Sequence, residues 1–233
     1  MKSLTAAKSL KSAGLPWLVS LVAFDIAVIL AFVFPDLVGA ASITQLTMAR
    51  AIVALVLPVA VLLLAGLLSP GIKALLVYWK LTNALPGHEA FTTHGPRDAR
   101  IDLMALEKNV GKFSTTPAEQ NRLWFKLYKA VETEPAIVEA QRMFLIYRDM
   151  AAVSFLLLVV VPGGVYLDGA ASFASWAVAG ILGLQYLIAA VAARHSGIRF
   201  VTNVLAVHST IRTSPSSKPV SSRKSKSSPV KRQ

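Results

Sequence analysis

Two places in the chain hold residue types that could do chemistry. The first is the stretch HEAFTTH, His88 to His94, which sets a glutamate and two histidines close together. A zinc protease helix needs its second histidine four residues on, so that both imidazoles share one face. Here Thr92 holds that place, and His94 lies six on, about 240° around a helix. Pro86-Gly87 just before it predicts a loop, and Asp98 is the nearest further ligand type. Ordinary loop hydrogen bonding is the expectation, with no metal. The second place is Asp25, in the middle of the run PWLVSLVAFDIAVILAFVF. A carboxylic acid among lipid tails costs several kcal/mol unless it is paired or protonated. Gln185, midway along another apolar run, is the natural partner. Asp25 reads either as a proton-sensing or ion-pathway group or as a protonated acid holding helices together.

Other chemistries are poorly served. There is no cysteine, so disulfides, thiolate metal sites and thiol nucleophiles are excluded. No Gly-rich phosphate loop, GxSxG elbow or paired carboxylates appear. The sequence therefore predicts a protein that is not an enzyme and needs no cofactor.

The elements that would position Asp25 and Gln185 are apolar helices. Hydrophobic residues make up 55% of the chain and charged ones 15%, against roughly 25% charged in a soluble domain. Four runs approach the 17–25 residues that cross a bilayer: about Pro16–Phe34, Met48–Leu68, Ala151–Val161 and Phe173–Ala193. The third is short unless Phe144, Leu145, Tyr147 and Tyr166 flank it at the interfaces. Pro35, Pro70 and Pro162 stand where three of them should stop. The expected fold is all-α, with four transmembrane helices in two hairpins and a helical cytoplasmic insertion between spans two and three.

Most of the net charge of +12 lies outside these runs. Lys2, Lys8 and Lys11 precede span one, and Lys73, Lys80, Arg142 and Arg148 flank the middle segment. The turns near residues 35–47 and 162–172 hold Asp36 and Asp168 and no base. By the positive-inside rule both termini and residues 71–149 are cytoplasmic. The divisions expected are a hairpin over 1–70, the helical segment 71–149, a hairpin over 150–194, a juxtamembrane amphipathic segment 195–212 and a disordered basic tail 213–233. Lys73, Lys80, Arg194, Arg199, Lys218, Arg223, Lys224, Lys226, Lys231 and Arg232 are expected to meet anionic headgroups, at about 1 kcal/mol per base near the surface. The tail lacks aromatic residues for base stacking, so sequence-specific nucleic acid is not expected.

Similar stretches recur in order. LVGAAS (37–42) answers LDGAAS (167–172), GIK (71–73) answers GIR (197–199), and LTNAL (81–85) answers VTNVL (201–205). They read either as a parallel duplication of one hairpin or as convergence on small-residue turns and basic flanks. Val38-Gly39-Ala40 could also suit a signal peptidase, but the run before it is longer than a signal core and holds Asp25.

Within 71–149, Ile72–Leu85 predicts an interfacial helix, and Ile101–Val110 a short one closed by Gly111. Thr116-Pro117-Ala118-Glu119 has the pattern of a capping box. Behind it Leu123, Trp124, Leu127, Tyr128 and Val131 form an apolar stripe, the expected cytoplasmic interaction face. A last helix from Pro135 should run unbroken into span three as a rigid stalk. Beyond span four, Val201, Val204, Leu205 and His208 share a face.

The function expected from these features is a non-enzymatic inner-membrane protein. Its cytoplasmic helices receive a partner or ligand, or another copy of the chain, and couple it to the membrane. The alternatives are a small proton-coupled transporter or channel using Asp25, and a membrane scaffold or assembly subunit.

Overall fold

A computed structural model describes residues 2–34, 44–167 and 173–210. The chain order is α1 (Lys2–Val28, ending in a π-helical turn Ile29–Val33), α2 (Gln45–Leu67) and α3 (Pro70–Tyr78). A 3-10 turn (Pro86–Glu89) and a π turn (Ala90–His94) follow, then α4 (Gly95–Arg97, one turn), α5 (Leu103–Val110), α6 (Pro117–Val131), α7 (Pro135–Leu167) and α8 (Phe173–Thr210). The described residues hold no strand.

Four of these helices are long and apolar enough to cross a membrane: Pro16–Val33, Thr47–Leu67, Pro135–Val165 and Ser175–Thr210. Leu63, Leu67, Leu184, Ile188 and Trp176 point outward from them. Water would not tolerate so large an apolar coat, whereas lipid tails match it. Their inward faces make one apolar core, with Leu21 and Ile29 of α1, Ala54 and Val61 of α2, Val153 and Leu157 of α7, and Val178 and Leu182 of α8. This bundle is the stem.

The remaining elements form a head with a separate core. Trp124, Leu127, Tyr128 and Val131 of α6 pack on Ile137 and Phe144 of α7 and on Phe200, Val201, Val204 and Leu205 of α8. Both cores therefore share α7 and α8, which run side by side and antiparallel. Leu158 lies against Gly183, Ser154 bonds Gln185, and Phe144 meets Gly197. At 1.5 Å per residue the 33 residues of α7 span about 50 Å and the 38 of α8 about 57 Å.

Several expectations need correction. Pro162 does not end the third span, because α7 passes through it to Leu167; the helix from Pro135 does run unbroken into that span, as expected. Pro70 does follow the end of α2 at Leu67, as expected, and also opens α3, while Pro16 marks the start of the apolar span within the longer α1. The boundary set at 194/195 coincides with no break, because α8 continues to Thr210 and carries Val201, Val204 and Leu205 into the head core. The helix expected over Ile72–Leu85 ends at Tyr78, where Trp79 turns to φ 53°. Side chains from α8 explain the stop: Tyr186 Oη donates to Leu76 O at 2.7 Å, and Arg194 Nε donates to Val77 O. These last carbonyls would otherwise be unpaired. The repeated stretches take different forms where they are described. GIK opens a separate helix and GIR lies inside α8; LTNAL is non-helical and VTNVL is helical. LVGAAS, most of LDGAAS, Pro35, Asp36, Asp168 and the tail with Lys218, Arg223, Lys224, Lys226, Lys231 and Arg232 lie outside the described residues.

The capping box is also rearranged. Thr116 is the N-cap of α6 by backbone geometry, but its side chain makes no cap bond. Ser114 stands between the two partners instead: its Oγ accepts from Thr116 N at 3.1 Å and donates to the Glu119 carboxylate, tying the start of α6 together. Ser114→Ala should therefore cost about 1 kcal/mol of head stability, the usual size of a lost N-terminal cap, and Thr116→Ala only a few tenths. Amide hydrogen exchange in the first turn of α6 separates the two; a larger effect at Thr116 would contradict this arrangement.

Candidate functional site

The stem holds one polar node. Gln185 Nε2 donates to Asp25 Oδ1 at 2.8 Å and to Ser154 Oγ at 3.0 Å, tying α1, α7 and α8 together. Asp25 and Ser154 are fully buried. Asp25 Oδ2 and Gln185 Oε1 face no donor, and among the described residues no cation pairs with Asp25. Such a site is rich in acceptors and suits a proton or a cation. Ser154 was not singled out in the sequence, although it is the one polar side chain between Asp149 and Pro162.

A second node lies where the head meets the stem. Asp149 Oδ1 accepts from Lys73 Nζ at 2.9 Å and from Arg148 Nη2 and Nε at 3.2 and 3.3 Å. Lys73 is 7% exposed, so it is an internal ion-pair partner and not the headgroup contact that its place in the sequence implies. Arg194 is likewise taken up within the protein. It caps α3 and stacks 3.6 Å from the centroid of the Trp79 ring, whose Nε1 donates to Tyr186 Oη at 2.9 Å. Gly197 lets α8 approach here: a Cβ would collide with the Tyr78 hydroxyl and the Phe144 ring. That hydroxyl is buried without a partner, and burial raises its pKa well above the phenol range against the pull of Arg194 and Arg148.

In the head, the stripe of α6 is occupied by the chain itself. Trp124, Leu127, Tyr128 and Val131 are buried and Leu123 is half-buried. Phe200 meets the Trp124 and Tyr128 rings edge-on at 5.3 Å. The indole Nε1 donates to Val201 O at 3.4 Å, and His208 Nε2 lies 2.9 Å from Leu127 O. The stripe thus docks α8, because α8 extends past the stem far enough to fill it; it is not a free face for a partner. Gln120, 2% exposed, was also missed. It accepts from Phe91 N at 3.1 Å and donates to Thr115 O at 3.2 Å, so it pins the Ala90–His94 turn against α6.

His88, Glu89 and His94 fall in that coiled segment and not in an open loop. His88 Nδ1 lies 3.1 Å from Leu85 O, and Glu89 pairs with Lys80. Among the described residues no cluster of three metal-ligating side chains forms. Asp98 is held by Arg100, which sets its carboxyl well below the usual range and reaches Thr202 Oγ1 at 3.3 Å. Of the described bases expected to meet headgroups, Lys80, paired with Glu89, and Arg199 are exposed.

No protein family, curated protein or solved structure matches the chain.

Burial lowers the His94 pKa below its ordinary 6.5, opposed by Glu89 and reinforced by Lys80 and Arg97. Between 6.5 and the lower folded value the unfolded segment binds more protons, so stability rises with pH there. The 86–97 segment should be fully held at pH 7.5 and loosen as pH falls through 6.5. Local hydrogen exchange corrected for intrinsic rates would show this, and His94→Gln should flatten the response. An equally steep response in the variant would remove His94 as its source.

Proposed function

We infer that the chain is a non-enzymatic multi-pass membrane protein whose head receives a partner or ligand and couples it to the membrane helices. One observation carries the reading: α7 and α8 supply side chains to both hydrophobic cores without a break between them. A change in how α6 packs on Phe144 or Phe200 must be absorbed by the same rods that line the stem. The distribution of bases supports an inner-membrane orientation with the head and both termini cytoplasmic. Exposed Lys80 and Arg199, with the basic tail, would then face anionic headgroups. A homo-oligomer or a protein partner at the head fits the same scheme, as does an assembly subunit.

Coupling can be read directly. Trp124→Ala opens the head core, a change typically worth 3–5 kcal/mol, and should raise hydrogen exchange in residues 151–161 of the otherwise intact protein. Met150→Pro removes one backbone bond and clashes a turn back, at roughly 3 kcal/mol, between the two cores. On that background the same head lesion should leave the stem unchanged. If the head lesion leaves the stem untouched in the intact helix, coupling is refuted.

A second reading, a small proton-coupled transporter or channel, is favoured by the bare Asp25 Oδ2. Asp25→Asn keeps the shape and removes the titration. In proteoliposomes it should abolish any pH-driven flux while assembly persists; flux that survives at the wild-type rate would rule this reading out.

A further inference from the structure

Asp149 is asked to neutralise two cations at once. Lys73 and Arg148 both donate to one oxygen, Oδ1, and their side chains are only 9% and 17% exposed. One positive charge is left over on side chains that are mostly buried, although Asp149 itself is 34% exposed, and an incompletely paired charge is costly there. Nε and Nη2 of Arg148 are spent on Asp149, which leaves the other end of its planar fork.

Arg148 borders a cavity of about 260 Å³ between α6, α7, α8 and the Pro86–Glu89 turn. Its walls include the rings of Trp124, Tyr128, Phe144 and Phe200. Arg148 lies 5.8 Å from the centroid of the Phe144 ring, within reach of a cation–π contact beside the apolar space. Gln141 also lines the cavity; its Oε1 accepts from Tyr128 Oη at 3.1 Å, so its amide N–H groups remain to donate. Asn121 adds a second carboxamide at the wall. Gly87 keeps this wall close: a Cβ there would run into the Asn121 side chain and come within 3.1 Å of the Trp124 ring.

Flat apolar walls, amide donors and a surplus guanidinium define a ligand by chemistry. We propose that this cavity binds a small planar aromatic carboxylate, its rings between Trp124 and Phe144 and its carboxylate on Arg148. Charge-assisted, fork-to-fork pairing of carboxylate and guanidinium supplies the orientation. The inference rests on the coupling reading for its consequence, not for the binding itself: a carboxylate on Arg148 shifts Asp149 towards Lys73, at the point where α7 enters the stem.

The test uses the full chain in nanodiscs of zwitterionic lipid, with 2-naphthoate and its neutral analogue 2-naphthamide as probes. Calorimetric titration should give saturable binding of the acid and at least tenfold weaker binding of the amide. Arg148→Gln should erase that preference and Arg148→Lys should keep part of it. Equal affinity for the two probes in the wild type, no saturable binding of the acid, or an acid preference that survives Arg148→Gln would each overturn the assignment. Displacement of the acid by added phosphatidylglycerol would give the site to a lipid headgroup and overturn it too. Binding with unchanged hydrogen exchange over residues 148–161 would uphold the site while removing its coupling to the stem. Absence of binding leaves the Trp124 and Met150 comparison to stand alone.

Discussion

A helix that serves two solvents must change its coat along its length without changing its backbone, and α7 and α8 do so together. In the stem they turn Val153, Leu157, Val178 and Leu182 inward while Val159, Leu184 and Ile188 face out. In the head they keep one apolar face, through Phe144, Phe200 and Val204, and expose Glu139, His195 and Arg199 on the other. Because every backbone group within a helix is satisfied internally, the passage from lipid to water costs nothing in hydrogen bonding. Only side chains register the boundary. α6 also meets the Pro86–Glu89 and Ala90–His94 turns, but its apolar stripe is filled by this pair, so its packing depends on how far α8 extends.

The boundary itself is marked by polar groups that α3 needs. This helix is nine residues long, too short to be stable alone in water. Ser69 caps its start by accepting from Ile72 N at 3.3 Å. Its end is held by Tyr186 and Arg194, and its side is pinned by Lys73 on Asp149. A buried pair of this kind need not add net stability, yet removing one partner strands the other. Its value lies in fixing the rotation and height of α3 on α7.

How much of this was legible depends on the range of each interaction. Four apolar runs announce themselves, because nothing but length and hydropathy is needed to recognise a spanning helix. The stripe from Leu123 to Val131 is equally plain, since it is a property of one helix. What it packs against is not, because Phe200 and Leu205 lie more than seventy residues on from Trp124. Helical continuity through Arg194-His195-Ser196 escaped for a related reason: hydropathy falls there, but backbone conformation does not follow hydropathy. Lys73 and Arg194 read as surface bases because a sequence shows a charge without its partner. Thr116 matched a local pattern, but Ser114, two residues earlier, takes both the Thr116 N–H and the Glu119 carboxylate that would have closed the box. The Ala90–His94 turn looked like a loop after Pro86-Gly87; the Gln120 carboxamide that accepts from Phe91 N lies 29 residues away.

The two polar nodes differ in the sign of what they lack. Around Asp25 one amide nitrogen serves a carboxyl and a hydroxyl, and two oxygens stay bare. Around Asp149 one carboxylate serves two cations, and donors are in excess. Both nodes include α7, at Ser154 and at Asp149, five residues or about 7.5 Å apart along the helix. They lie less than a turn and a half apart on one rigid element. A small rotation of α7 that improves the pairing of Asp149 with Lys73 also moves the Ser154 hydroxyl relative to Gln185. Since Gln185 Nε2 divides its two protons between Ser154 and Asp25, the hydrogen bonding of the buried acid depends on the position of a helix whose other end is held in the head. The two polar nodes are therefore not independent: α7 carries a member of each, so the geometry of one is tied to that of the other.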